Sequence, residues 1–223
     1  IGSKSVYLYK AGPLGNINSG TSLTSSALNS TGYYAINGAV INNNGNIDFS
    51  NSIGSAGAFA SNNSTVYNNA TITIGKSQID SPNPADRYYS LGMAAKNGGK
   101  IYNNNTINVT GDYGIGMRSD NATGNTENKG KIESSKLRAV GMSSSNGSNA
   151  MTNTGTIDFS GQESIGMHTD NLGTAGHAVT NNGTITLVDA NDETKPNIGI
   201  YSEHSNDVVV NNGKIEAGKN TLG

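Results

Sequence analysis

Glu133 and Asp158 are the carboxylates best placed to do chemistry. Each directly follows the isoleucine of a recurring phrase (KGKIES, TGTIDF), and they lie 25 residues apart. If that phrase marks one turn of a solenoid, the two fall on adjacent turns, near the spacing of about 5–5.5 Å used by retaining glycosidases. The full column is Asp48, Thr73, Asn108, Glu133, Asp158, Thr186 and Glu216, with Lys131 and Lys214 two residues before Glu133 and Glu216. No Arg or His joins it, and its acids are scattered among Thr and Asn. The column therefore also suits a solvated strand face of mixed charge, the reading its scatter favours.

A second constellation follows a Gly-containing phrase, SLGMAAK, GIGMRSD, AVGMSSS, SIGMHTD and NIGIYSE. Its outward column is expected to hold Ala94, Arg118, Ser143, His168 and Tyr201, and two residues on, Lys96, Asp120, Ser145, Asp170 and Glu203. Arg118/Asp120, His168/Asp170 and Tyr201/Glu203 would form a polar patch in which Tyr stacks on a sugar while the others bond its hydroxyls. They equally suit solvent-facing ion pairs of little energetic weight. The stripe Gly92, Gly116, Gly141, Gly166 and Gly199 is expected to face outward between two core residues. Glycine weakens a strand unless something approaches closely, so the stripe reads either as a shallow channel for an extended partner or as a geometric need for a bend.

Positioning these residues falls to a repeat. The isoleucines recur at Ile47, Ile72, Ile107, Ile132, Ile157, Ile185 and Ile215, with a weaker Leu23 before them. Periods of 20–50 residues signal solenoids, propellers or arrays. Two residues after each Ile stand Phe49, Ile74, Val109, Ser134, Phe159, Leu187 and Ala217; six before stand Ile41, Val66, Ile101, Thr126, Met151, Val179 and Val209. Even offsets of apolar residues mark strands. In the Gly phrase the inward pair is expected to be Leu91/Met93, Ile115/Met117, Val140/Met142, Ile165/Met167 and Ile198/Ile200. Four residues before each Ile stands an Asn: Asn43, Asn68, Asn103, Asn128, Asn153, Asn181 and Asn211. Inward and stacked, these form a hydrogen-bonded ladder of the kind that stabilises in-register strands. Two before each Ile lies a small residue or Asn, read as a bend needing unusual backbone angles. The expected architecture is all-β: a single right-handed parallel β-helix of about eight rungs, roughly 38 Å tall at the inter-strand spacing.

The 223 residues carry 33% hydrophobic and 13% charged side chains, 30 Gly and 34 Asn. That composition disfavours helical arrays. A net charge of −2 without any basic run excludes a nucleic-acid surface. With no Cys there is no disulfide or thiolate site, and no legible spacing calls for a metal, a cofactor or a catalytic residue. The period lengthens near 75–89 (including Asp86 and Arg87), near 188–197, and at DNLGTAGH between Met167 and Ile185. In solenoids such insertions often map to the binding face. SVYLYKAG and GKNTLG both stop in mid-pattern, so the expectation is one β-helix segment, residues 1–223, of a longer protein.

With NNGxI, SIGM and the Asn-rich bends in view, the chain resembles passenger domains of type V autotransporters, above all large fusobacterial outer-membrane adhesins. The resemblance spans Tyr33 to Ala217 and concerns a style of repeat, not a ligand. It implies a signal segment and a transmembrane β-barrel outside this sequence, few cysteines, and placement at the cell surface or in the secreted fraction. It also implies a role in attachment to proteins or glycans of host cells or other bacteria. The expected function is an adhesin or stalk, not an enzyme, with a polysaccharide-cleaving or glycan-binding β-helix as the alternative. The candidate binding residues are Arg118, Asp120, His168, Asp170, Tyr201, Glu203, Asp86 and Arg87.

Overall fold

A computed structural model of the chain describes residues 3–146, 150–170, 178–205 and 207–223. These form a parallel β-solenoid of three sheets. One coil comprises a strand of the first sheet, one of the second and one of the third; β4 (Thr31–Ile36), β5 (Val40–Asn43) and β6 (Ile47–Phe49) are an example. Among the described residues the sheets hold 9, 8 and 8 strands, which is eight coils and one further strand. Every pairing between these strands is parallel and in register, so each repeat column becomes a stack: Ile107 pairs with Ile132, and Ile132 with Ile157.

The register explains the core. Ile47, Ile72, Ile107, Ile132, Ile157 and Ile185 are all buried, as are Phe49, Ile74, Val109, Phe159 and Leu187 of the neighbouring column. A single coil cannot enclose its apolar face, so stability accumulates between neighbouring coils. The Asn ladder is continuous. Asn43 donates to Asn68, Asn68 to Asn103, Asn103 to Asn128, Asn128 to Asn153 and Asn153 to Asn181, each at 2.8 Å, and Asn181 to Asn211 at 2.9 Å. In the preceding coil Ser19 pairs with Asn43 in the register and meets the Tyr33 hydroxyl at 2.9 Å instead.

Two expectations about glycine are corrected. Gly130, Gly155, Gly183 and Gly213, two before each Ile, are not there for unusual backbone angles. A Cβ on them would sit 1.9–2.1 Å from a carbonyl oxygen of the preceding coil, so close stacking of the bends favours glycine at these four positions, while Ala70 and Asn105 hold the same place in other coils.

The stripe Gly92 to Gly199 does not face outward and lines no channel. A Cβ on Gly116 would fall 2.6 Å from Ile132 Cγ2 and 2.6 Å from the Gly141 carbonyl oxygen. In the strands β13 (Ile115–Asp120), β16 (Val140–Ser145) and β19 (Ile165–Asp170) the inward–outward alternation breaks at this glycine, a local kink in the pattern: the register passes from Ile115, Val140 and Ile165 to Met117, Met142 and Met167. Two consecutive residues then face inward, glycine under an isoleucine of the third sheet and methionine into the core. The residue before the glycine is turned out. Leu91, Val140, Ile165 and Ile198 are accordingly half-buried, outside the core that holds Met93, Met142 and Met167. Ile115, though covered, also lies on the outer side. The expected inward pairs thus have only their second members inside.

Candidate ligand-binding face

This kink gives the first sheet an outer face unlike the other two. The third sheet presents Thr, Asn, Lys, Glu and Asp at its outward positions, such as Glu133 and Asp158, while the second mixes Asn, Tyr, Glu and Thr with Val40, Val208 and Val210 and has no continuous aliphatic row. The first sheet presents an aliphatic row, Leu91, Ile115, Val140, Ile165 and Ile198. Beside it runs the column Tyr9, Tyr34, Phe59, Ala94, Arg118, Ser143, His168 and Tyr201. Tyr34 meets Tyr9 and Phe59 edge-on, at centroid distances of 5.6 and 5.1 Å. His168 and Tyr201 stack at 5.6 Å and 20°.

Sequence reasoning placed Arg118, Asp120, His168, Asp170, Tyr201 and Glu203 on one face, and all six lie on or beside this sheet. The expected partners within a strand are not the ones found. His168 Nε2 lies 2.8 Å from Glu203 Oε1, and His204 Nε2 lies 2.8 Å from Asp170 Oδ1, so both pairs bridge successive coils. Asp120 meets Lys96 of the preceding coil at 3.5 Å and accepts from Asn146 of the next at 2.7 Å. Parallel stacking brings side chains of neighbouring coils together, whereas residues two apart on one strand are separated along it. His204 was not singled out in the sequence because it falls just past the strand, where the repeat has no column.

The insertion at 75–89 contributes Tyr89, which was also missed. Its base is pinned by an antiparallel bridge between Gln78 and Tyr88 and by Ser90, whose hydroxyl donates to the Lys76 carbonyl at 2.8 Å. Tyr89, 45% exposed, stands over the sheet with the Arg118 guanidinium 5.6 Å from its ring centroid. It divides the face into two clefts. One, of about 330 Å³, is lined by Phe59, Leu91, Ala94, Lys96 and Asp120; the other, of about 280 Å³, by Ile115, Val140, Ile165, Ser143, His168 and Asp170. Tyr89 and Arg118 line both.

Asp86 and Arg87 stay in the insertion's own turn. Asn83 donates to Asp86 at 3.0 Å, and Arg87 Nε donates to the Ser81 carbonyl at 2.9 Å. The structure does not bring them to the Arg118 column. The 188–197 insertion folds onto a different patch. Gln162 donates to the Asp189 carbonyl at 3.1 Å and accepts from the Asn191 amide at 2.7 Å, and Lys195 approaches Glu163 at 3.9 Å. In that loop Thr194 donates twice to Asp192 and, as the largest influence, holds its carboxyl below the usual carboxylate range. The DNLGTAGH lengthening lies, from Asn171 on, outside the described residues.

Glu133 and Asp158 do lie on adjacent coils, beside a cleft of about 460 Å³. A cleaving pair needs one carboxyl held protonated in a poorly solvated site. Here both are bound by one ammonium, Lys131, at 2.5 and 3.0 Å, on an exposed strand face. Glu133 first and Asp158 second raise the pKa of Lys131, which keeps that ammonium charged. The geometry is that of a surface ion-pair triad. Among the described residues no cluster of three or more His, Asp or Glu could hold a metal ion.

The family of the chain follows from its match to a family model, that of the BigA third pectate lyase-like domain, over residues 14–221. The chain belongs to that family. It is a bacterial surface-protein domain of β-helix type. No curated protein and no solved structure matches the chain. The family's description names a likeness in fold, and a fold by itself carries no reaction. Among the described residues no helix is long and apolar enough to cross a membrane, which leaves β-barrel segments elsewhere untouched.

Proposed function

We propose that the chain is a rigid, surface-displayed adhesive segment of an autotransporter passenger, and that the outer face of its first sheet attaches to host or bacterial cells. The observation carrying this reading is the partly exposed aliphatic row Leu91, Val140, Ile165 and Ile198, set beside Tyr89, Arg118, His168 and Tyr201 along two adjoining clefts. Exposed apolar area rimmed by polar groups marks interaction sites. A solenoid holds such a row straight and stiff, because every element of it is hydrogen-bonded to both neighbours. Membership in a surface-domain family supports the location.

Beads coated with the chain, applied to epithelial cells and to bacterial cells, test the reading. Tyr89→Ala combined with Ile165→Asn on the first sheet should cut attachment severalfold. Glu133→Gln combined with Asp158→Asn on the third sheet should leave it unchanged. Deleting residues 79–87, which spares the Gln78–Tyr88 bridge, tests the insertion separately. If the parent chain attaches to neither cell type, the segment is a spacer and the adhesive reading fails.

A further inference from the structure

Among the described residues that line the two clefts, Arg118 is a permanent cation without an acidic partner. Lys96 is paired with Asp120, His168 with Glu203 and His204 with Asp170. Among the described residues Arg118 has no ion pair; its guanidinium lies over the Tyr89 ring, at the boundary between the two apolar clefts. The ring, with its centroid 5.6 Å away, takes no hydrogen-bonding partner's place, so the guanidinium keeps its N–H groups for a ligand, and its planar fork matches a carboxylate.

The clefts define what would accompany that carboxylate. The apolar parts of the walls are Leu91 and Phe59 on one side of Tyr89, beside the paired Lys96 and Asp120, and Ile115, Val140 and Ile165 on the other, beside His168 and Asp170. Aliphatic walls suit aliphatic side chains, while sugars need flat ring faces and several free hydrogen-bonding groups. The charged groups on this face other than Arg118 are already engaged with one another. In an extended peptide, side chains two positions either side of a given residue lie about 6.6 Å from it, between one and two inter-coil spacings of about 4.8 Å. That distance carries them from Arg118 into the two clefts.

Building on the adhesive reading above, we propose that this site receives an extended peptide of a partner protein with the pattern aliphatic–x–acid–x–aliphatic. The acid binds Arg118 and the two aliphatic side chains fill the clefts on either side of Tyr89.

The test uses an array of capped synthetic peptides with Leu, Ile, Val or Phe at the two apolar positions and Glu at the centre. Each has a counterpart with central Gln, and an oligouronate is included as a separate probe. Affinity is read by fluorescence anisotropy, with bead attachment to cells measured in parallel. A subset of Glu peptides should bind, their Gln counterparts severalfold more weakly, as expected for loss of a charge-assisted bidentate pair. R118Q should abolish the difference between Glu and Gln, R118K should restore part of it, and both should melt as the parent does. The inference is overturned if no peptide binds, if Gln replaces Glu at no cost, if R118Q binds as the parent does, or if only the oligouronate binds through Arg118. Intact cell attachment with any of these results removes this inference alone. Loss of attachment by the parent chain removes the adhesive reading itself.

Discussion

Asn128 and Asn153 sit one above the other inside the bend between the second and third sheets, with Asn128 Nδ2 donating to Asn153 Oδ1 at 2.8 Å. Asn153 passes the pattern on to Asn181 at 2.8 Å and also reaches the Gly155 carbonyl. Both side chains are fully buried. Each amide is donor to one coil and acceptor to the other, so the dipoles align along the axis and reinforce one another. Asn153→Ala leaves the Asn128 donor and the Asn181 acceptor without their ladder partner. The expected cost is about 1–3 kcal/mol. Asn104→Ala, in the exposed row where Asn104 donates to Asn69 at 2.8 Å, should cost under about 0.5 kcal/mol. Urea melts of the two variants check this; equal midpoints would show that the buried ladder does not stabilise the stack.

The glycine stripe makes a prediction of the opposite kind, in which adding one methyl is harmful. A Cβ on Gly141 would lie 2.5 Å from the Gly166 carbonyl oxygen and 2.8 Å from Ile157 Cγ2. Neither can retreat: the carbonyl belongs to the next strand's backbone and Ile157 is fully buried. Gly141→Ala should therefore cost about 1–3 kcal/mol through forced repacking. Gly15→Ala, where a Cβ meets nothing within 4 Å, tests the φ of +72° instead of the space. A Gly141→Ala variant as stable as the parent would place the stripe on the outside after all.

What could be read in the sequence follows from what the repeat preserves. The Ile and Asn columns were legible because stacking in register demands the same residue type at the same offset in each coil. The number of coils followed from them, and the grouping of Arg118, His168 and Tyr201 from the Gly-containing phrase repeated in the same way. A bend at Gly116 and its equivalents was one of the two readings of the stripe, but which neighbours it turns inward was not legible. A strand is read by strict alternation, and two consecutive inward residues break it without any change in composition. For that reason the aliphatic row from Leu91 to Ile198 was assigned to the core, and the face it forms with Tyr89 was missed. The pairs His168–Glu203 and His204–Asp170 span 35 and 34 residues. Only the lengthening of that coil brings them opposite each other, and no periodic rule reports it.

Thr126 is a flaw in the core that can be repaired. It occupies the column of Ile101 and Met151, is 1% exposed, and its hydroxyl has no hydrogen-bond partner. A buried hydroxyl without a partner costs about 1–3 kcal/mol relative to an apolar group of the same shape. Thr126→Val keeps the branching and removes the hydroxyl. It should raise stability by about 1 kcal/mol, read as a higher melting temperature in calorimetry. A fall in melting temperature would mean that the hydroxyl is satisfied by water.

Alkaline pH should loosen the N-terminal coils first. Tyr33 is fully buried, and its hydroxyl meets Ser19 at 2.9 Å and donates to the Thr21 carbonyl at 3.2 Å. Burial raises its pKa above the ordinary value of 10.0, with the Ser19 bond acting in the other direction. The neutral phenol is the form the fold holds, and the unfolded chain ionises first as pH rises. The stabilisation is therefore complete below about pH 10, the value for a free tyrosine, and is lost progressively above it as pH climbs toward the folded-state pKa. Tyr102 is raised likewise, by burial first and the stacked Tyr67 second, so it contributes in the same direction. Tyr33→Phe should flatten the fall in melting temperature between pH 9 and 11 without abolishing it, because Tyr102 remains. An unchanged slope in the Phe variant would mean that Tyr33 ionises in the folded coil as easily as in the unfolded chain.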